Sequence, residues 1–418
     1  MQWEDLSYLG TVTLAGGLAR AMRRGLPEGW RLRLEARPPE NLPSGWIWLH
    51  AVSVGELLLA EGVLGWLRDH GHPIHVTTGT PAGLELLEKR LPAWNQGGSQ
   101  VTGGAFPLDD PAGLRAFMEP PPGAFIALET ELWPNLLREL EVRGIPRVIV
   151  NGRLTGRSLD RGGAWMRAAA GRLTVVAARD EASAEAFRHL GAPRVELGGN
   201  LKADLPPPNP LHEGWEPLRQ AWARAKVLVA GNTVEGEEEL LVSTWLRMRE
   251  QHPDLRMILA PRQPKRFQEV AAYFKQQGLR FWRASGAWPL EVDPWKTCDI
   301  LLLDTLGELP SAYREGTLAL VGGGWAKQGG HNPLESVRWG VPTLVGPGFR
   351  NFEDLVTPLQ DAGLIKIVAA QNLGETVLSM LEQVPLRPGQ ALIELPMALR
   401  GALGRTCAIL ANFLPPPS

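Results

Sequence analysis

The segment from Gly316 to Pro347, GTLALVGGGWAKQGGHNPLESVRWGVPTLVGP, leaves the chain around it little freedom in how it can fold. Its apolar run Leu318 to Val321 has the length and composition of a strand buried on both faces of a parallel sheet. Gly322, Gly323 and Gly324 follow, then Gly329 and Gly330 ahead of His331-Asn332-Pro333-Leu334-Glu335. Asn332 suits a helix N-cap, Pro333 the first helical position, and Glu335 can reach back to the cap. Gly340 then stops the helix, and PTLV predicts the next strand. Glycines let a ligand approach the backbone, and a helix N-terminus offers N–H groups and partial positive charge. The segment therefore reads as a seat for a phosphate or carboxylate; glycines that only turn and a Glu335 that only caps are the plainer alternative.

The same strand–loop–helix pattern recurs along the chain, which makes the fold class α/β with doubly wound sheets. Trp46 to His50 predicts a strand, Ala51 to Gly55 a tight small-residue loop, and Glu56 the start of a helix. A carboxylate there complements the helix dipole, yet the end of a strand in an α/β pattern is also where ligands collect. Ser53 and Gly55 share that loop, and Thr77, Thr78 and Thr80 supply hydroxyls after the next strand. Glu129 and Glu131 flank Thr130 just beyond FIAL, two carboxylates with no nearby base in sequence. Asn151, Arg153, Arg157 and Ser158 follow another strand, and Lys202 lies at the end of a further one. In the second half, GNTVEGEE predicts an Asn232 cap completed by Glu235. Arg262, Lys265 and Arg266 follow the next strand, Asp304, Thr305 and Glu308 another, and 391–414 predicts a closing helix.

A length of 418 residues calls for two domains of roughly 200 residues each. LPPPNP at 205–210 is a stiff, helix-breaking hinge. It divides residues 1–204 from 211–418, with the last helix able to pack back on the first domain. Polar strand-end loops in both halves predict an inter-domain cleft. A hydrophobic content of 44% fits a buried globular core, and a formal charge of −2 argues against broad nucleic-acid binding. Most of the 16 tryptophans then belong to core or interface. Cys298 and Cys407 form no metal or disulfide pattern. No P-loop, no GxGxxG after the first strand, no HExxH and no Cys/His cluster occurs, so neither a dinucleotide cofactor nor a metal is expected. The chemistry left is displacement between substrates held by the protein. There is no secretory-type start and no apolar run of about 20 residues. Residues 6–24 end in Arg20, Arg23 and Arg24, with Arg31, Arg33 and Arg37 beyond, and read either as an interfacial helix with a basic collar or as an ordinary packing helix.

HAVSVGE (50–56), VTTGTP (76–81), ETELWPN (129–135), NGRLTGRS (151–158), GNLKAD (199–204), APRQPKRF (260–267), DTLGEL (304–309), GGHNPLE (329–335) and GPGFRNFED (346–354) together resemble the Kdo (3-deoxy-D-manno-octulosonic acid) transferases. The resemblance keeps the motif order from about residue 46 onward. It implies a GT-B fold, two Rossmann-like domains facing a central cleft, with the acceptor on the N-terminal half and the donor on the C-terminal half. The implied reaction is inverting and metal-independent, moving Kdo from CMP-Kdo to a lipid A precursor in lipopolysaccharide biosynthesis. No cofactor is implied beyond the donor substrate. Glu56 would be the general base, with Ser53, Gly55, Thr78, Glu129, Glu131, Asn151, Arg153 and Lys202 lining the acceptor side. Arg262, Gly323, Gly324, Gly330, His331, Asn332 and Glu335 would hold the donor. The implied place is peripheral, on the anionic cytoplasmic face of the inner membrane. Departures from the family pattern are Val234 and Gln263 where His is usual, and Gly79 where Met is usual.

Two other readings stand beside this one. One is a GT-B-like sugar-nucleotide epimerase or a transferase for another acidic sugar or acceptor; the acceptor-side matches HAVSVGE and ETELWPN weigh against the epimerase. The other is a non-catalytic membrane-associated relative, which has no need of Glu56, Arg262 and Glu335 together.

Overall fold

The computed structural model describes residues 28–38, 42–96, 100–154, 164–205, 215–286, 296–326, 328–386 and 392–416. The segment 6–24, Arg157, Ser158 and most of the 205–210 hinge lie outside them. Contacts divide the chain into two units, Met1–Leu205 with Gly401–Ser418, and Pro206–Arg400.

The first unit is a parallel sheet of β1 (Ile47–His50), β2 (Ile74–Thr78), β3 (Val101–Ala105), β4 (Ala124–Leu128), β5 (Arg147–Gly152), β6 (Val175–Ala178) and β7 (Val195–Leu197), in the order β3-β2-β1-β4-β5-β6-β7. β1, β2 and β4 are buried along their whole length. β4 is apolar throughout, while β1 and β2 also bury His50, His75, Thr77 and Thr78, each hydrogen-bonded to a neighbouring strand or loop. Alternate residues supply the two faces. Trp48, Phe125, Ala127 and Ile149 pack on one side, Leu49, Ile126, Val148 and Val150 on the other. The strand order reverses between β1 and β4, so the loops leaving these two neighbours diverge and open a crevice at their carboxyl ends. Asp109 fixes one rim: its carboxylate accepts from Asn135 N at 3.1 Å and Leu136 N at 2.8 Å, tying down helix Pro134–Val142 just after ETELW.

The second unit repeats the plan with β8 (Val227–Thr233), β9 (Arg256–Pro261), β10 (Phe281–Arg283), β11 (Ile300–Leu302), β12 (Leu318–Val321), β13 (Thr343–Val345) and β14 (Ile365–Ile367). Their order, β10-β11-β9-β8-β12-β13-β14, reverses between β8 and β12. The glycine loop predicted to organise the chain therefore leaves the sheet beside that reversal.

The closing helix is shorter than expected. Among its described residues a 3-10 turn, Met397–Leu399, precedes Gly401, whose φ of +75° starts helix Ala402–Ala411. This helix packs on the first unit, with Leu403 against Gly62 of helix Val54–Asp69 and Asp204 accepting from Leu403 N at 2.6 Å. Among the described residues no helix is long and apolar enough to cross a membrane.

Candidate active site

Glu56 lies in the first turn of helix Val54–Asp69, directly after β1. With Ser53 as N-cap it makes a variant of the capping box, the carboxylate reaching the N–H of Val52, one residue before the cap, instead of that of Ser53. The Ser53 hydroxyl accepts from Glu56 N at 3.4 Å and donates to Glu56 Oε1 at 3.0 Å, while Val52 N donates to Oε2 at 2.8 Å. Capping does not exhaust its chemistry. Burial pushes the carboxyl up from the usual 4.5 to about 7, and the charges of Glu129 and Glu131 add to this against the opposing bonds from Val52 N and Ser53. A carboxyl poised there is close to even between acid and base at neutral pH. Gly55 beside it has ordinary clearance, a Cβ there coming no nearer than 3.9 Å to Ser53 Oγ. Packing within the unit does not demand a glycine at that point.

Glu129 and Glu131 leave the adjacent strand β4. Glu129 adopts a left-handed φ of +58°, unusual for a side-chain-bearing residue, and lies 3.9 Å from Lys202 Nζ. Glu131 Oε2 accepts from Trp133 Nε1 at 2.6 Å and lies 3.7 Å from His50 Nε2. His50 is fully buried, stacked on Phe106 and held through Nδ1 by Thr77 at 3.0 Å. The structure thus brings Glu56, Glu129, Glu131 and Lys202 to one crevice of one unit.

Other residues expected on the acceptor side act through the backbone. Thr78 is buried and its hydroxyl donates to Val52 O at 2.8 Å, so it holds the loop that carries Glu56. Asn151, at φ +52°, is buried and accepts from Leu201 N at 3.0 Å, which fixes the turn bearing Lys202. Arg153 pins the Glu129 loop: its N donates to Glu129 O at 3.4 Å and its O accepts from the Thr130 hydroxyl. Arg33, expected on a basic collar, instead lies over the rings of Phe106 and Trp133 and donates to Phe106 O at 3.2 Å.

In the second unit Arg262 follows β9, exposed, with its N donating to Thr233 O at 2.9 Å. His331 lies against Gly323, where a Cβ would come within 2.8 Å of its ring. Burial, then the Arg262 charge, lowers the imidazole from 6.5 to about 4, so it is neutral at neutral pH. The expected cap is displaced: the helix is a single turn, Leu334–Val337, whose N-cap is Pro333 with no side-chain cap bond. Pro333 therefore lies ahead of the first helical position, and Asn332 serves the turn before it by accepting from Leu334 N at 3.1 Å; Gly340, at φ +69°, follows the helix. Glu335 lies near buried Tyr313, whose hydroxyl is pushed up first by burial and then by that carboxylate. Gly330, at φ +76°, donates to Gly323 O at 3.1 Å. Gly324 packs against Gly346, where added Cβ atoms would approach within 2.8 Å of backbone.

Two further expectations need correction. The Asn232–Glu235 capping box does not form: Asn232 lies within β8 at φ +55°, and the helix begins at Glu237. Nor does Gly323 offer its N–H to a ligand. Glu237 Oε2 accepts that N–H at 2.7 Å, and Oε1 accepts from Trp325 N at 2.9 Å and Ala326 N at 3.0 Å. Sequence reasoning missed Glu237 because its partners lie almost ninety positions away. The three consecutive glutamates at 237–239 were the only signal available. Among the described residues no group of three or more His, Cys, Asp or Glu side chains is arranged to hold a metal ion.

Two parallel α/β units, each with polar loops gathered at its strand-order reversal, are of the GT-B type. The fold agrees with that of a putative UDP-N-acetylglucosamine 2-epimerase from Listeria monocytogenes, at a TM-score of 0.55 over 88% of this chain and 96% of that one, with 13% identity. A family model for 3-deoxy-D-manno-octulosonic-acid transferase (kdotransferase) matches residues 28–205. The chain is 33% identical to the 3-deoxy-D-manno-octulosonic acid transferase of Haemophilus influenzae, over 89% of this chain and 88% of that protein. It is 32% identical to that of Bordetella pertussis, over 91% and 90%. The chain belongs to the 3-deoxy-D-manno-octulosonic acid transferase family and is a glycosyltransferase.

Proposed function

We propose that this enzyme moves Kdo from CMP-Kdo to a hydroxyl of a lipid A precursor in lipopolysaccharide biosynthesis, with inversion at the anomeric carbon. The observation that carries the reading is Glu56: a capped, half-buried carboxyl raised to about 7 at a strand-order reversal, in a member of this family. Its carboxylate takes the proton of the acceptor hydroxyl as that oxygen bonds to the anomeric carbon. The bond from that carbon to the phosphate oxygen breaks, and CMP departs with the electron pair. Lys202 beside Glu129 supports orientation of the acceptor. Arg262 and the neutral His331 support the leaving phosphate, with Asn332 and Glu335 shaping the turn behind them. No metal or other cofactor takes part in this scheme. The lipid acceptor argues for a peripheral place on the anionic cytoplasmic face of the inner membrane, reached through 6–24 and its arginines.

The test is to incubate the purified protein with CMP-Kdo and a lipid IVA-like acceptor, with and without a chelator, and to determine the anomeric configuration of the product by NMR. An inverted Kdo linkage formed equally in chelator supports the reading. Retention, or loss of turnover in chelator, rejects the mechanism. Faster transfer of another acidic sugar rejects the donor assignment.

A further inference from the structure

Glu237 opens helix Glu237–Arg249, and its side chain is nearly inaccessible, with 1% of its surface exposed. A carboxylate in a first turn ordinarily serves the N–H groups of its own helix. This one turns to the loop after β12. Oε1 accepts from Trp325 N and Ala326 N, and Oε2 accepts from Gly323 N and, at 3.3 Å, from Val234 N. An acceptor-only group thus faces four backbone donors, the arrangement in which hydrogen bonds to a carboxylate are strongest.

The neighbouring glycines follow from this contact. A Cβ at Gly322 would meet Glu237 Oε2 at 2.7 Å and Asn232 O at 2.5 Å. Gly323 bends at φ +83°, and Gly324 packs on Gly346 from the other side. The loop is clamped between a buried carboxylate beneath and a second backbone above. With its N–H row already committed to a negative group, it has little left to offer an incoming anion.

We propose that Glu237 is the positioning residue that sets the Gly322–Ala326 loop in its working shape before the donor arrives. The N–H groups of Gly323, Trp325 and Ala326 are therefore not those that meet the donor phosphate, which is left to Arg262 and His331. This rests on the reading that the anionic nucleotide is seated in the second unit. Glu237 touches no substrate; it acts through the loop.

The test is Glu237→Gln. Glutamine keeps the size but sets an NH2 group against two backbone N–H donors. A loop displaced by about 1 Å costs roughly 100-fold in rate. That loss is expected in kcat/KM for CMP-Kdo, with the acceptor KM unchanged and faster amide exchange in peptides covering 322–326. In the parent enzyme the same amides should exchange slowly without CMP and no more slowly when CMP is saturating. A folded Glu237→Gln enzyme with parental donor kinetics overturns the proposal. So do parent amides that become protected only when CMP binds, a result that decides the matter even if the variant fails to fold. Slow amides in the parent combined with unchanged CMP affinity in Arg262→Ala would leave the clamp standing and reject the second unit as the donor seat.

Discussion

Replacing Glu56 by Gln should make the protein more stable and almost inactive at the same pH. Moving a carboxyl from 4.5 to about 7 makes its ionised form costlier in the folded protein by roughly 3 kcal/mol. Solvent at a partly exposed side chain trims this to about 1–2 kcal/mol. The sign follows from proton binding. Between 4.5 and 7 the folded state holds a proton that the unfolded state has released, so stability falls as pH rises through that window. The penalty is absent below 4.5 and complete above 7. Glutamine cannot ionise, and it can still accept from Val52 N and donate to the Ser53 hydroxyl, so both capping contacts survive. Denaturant unfolding at pH 8 should therefore favour Glu56→Gln by about 1–2 kcal/mol, and the advantage should vanish near pH 4.5. Turnover should drop by about 10²–10⁴-fold, the usual contribution of a general base. In the parent, kcat/KM should rise with pH around a midpoint near 7. A variant equally destabilised at both pH values, or one that keeps most of its turnover, would return Glu56 to helix capping alone.

Three further outcomes are expected. Arg262→Ala and Glu335→Ala should each weaken CMP binding in calorimetry, the first by removing a cation and the second by loosening the His331 turn; unchanged affinity in both moves the nucleotide elsewhere. Burial lowers His75 and His331 from 6.5 to about 4, so the unfolded chain gains protons first and stability should fall as pH drops from 6.5 towards 4. His75→Phe, set among Trp46 and Phe117, should flatten that slope in denaturant titrations, and an unaltered slope would contradict the assignment. Reversing the charge of Arg20, Arg23 and Arg24 together should release the protein from anionic vesicles in sedimentation, each cation near such a surface being worth roughly 1 kcal/mol; a triple variant that sediments like the parent would leave the collar a solvated helix end.

The strands and the loops that carry the site were legible because short apolar runs ending in small or polar residues have few folding outcomes. The β1 end with Ser53 and Glu56, the β4 end with Glu129 and Glu131, and the glycine loop after β12 all lie at strand ends, as read. What stayed hidden depends on distant partners. The basicity of Glu56 comes from burial and from carboxylates more than seventy positions away, which local pattern does not encode. Thr78 and Asn151 have the residue types of ligand contacts, but their side chains answer buried backbone groups that only the fold brings to them. Asn232 looked like a cap because Asn followed by Glu three positions later is the usual sign; its left-handed backbone within β8 gives it another place.

The most direct measurement is single-turnover transfer from CMP-Kdo to a lipid A precursor by the parent and Glu56→Gln proteins, with donor affinity determined on the same preparations. The parent should yield a lipid product heavier by one or more Kdo residues with stoichiometric CMP release. The variant should keep its donor affinity while transfer slows about 10²–10⁴-fold. Transfer at the parental rate by Glu56→Gln, or CMP release from the parent with no sugar reaching the lipid, would contradict Glu56 as the base of a Kdo transfer.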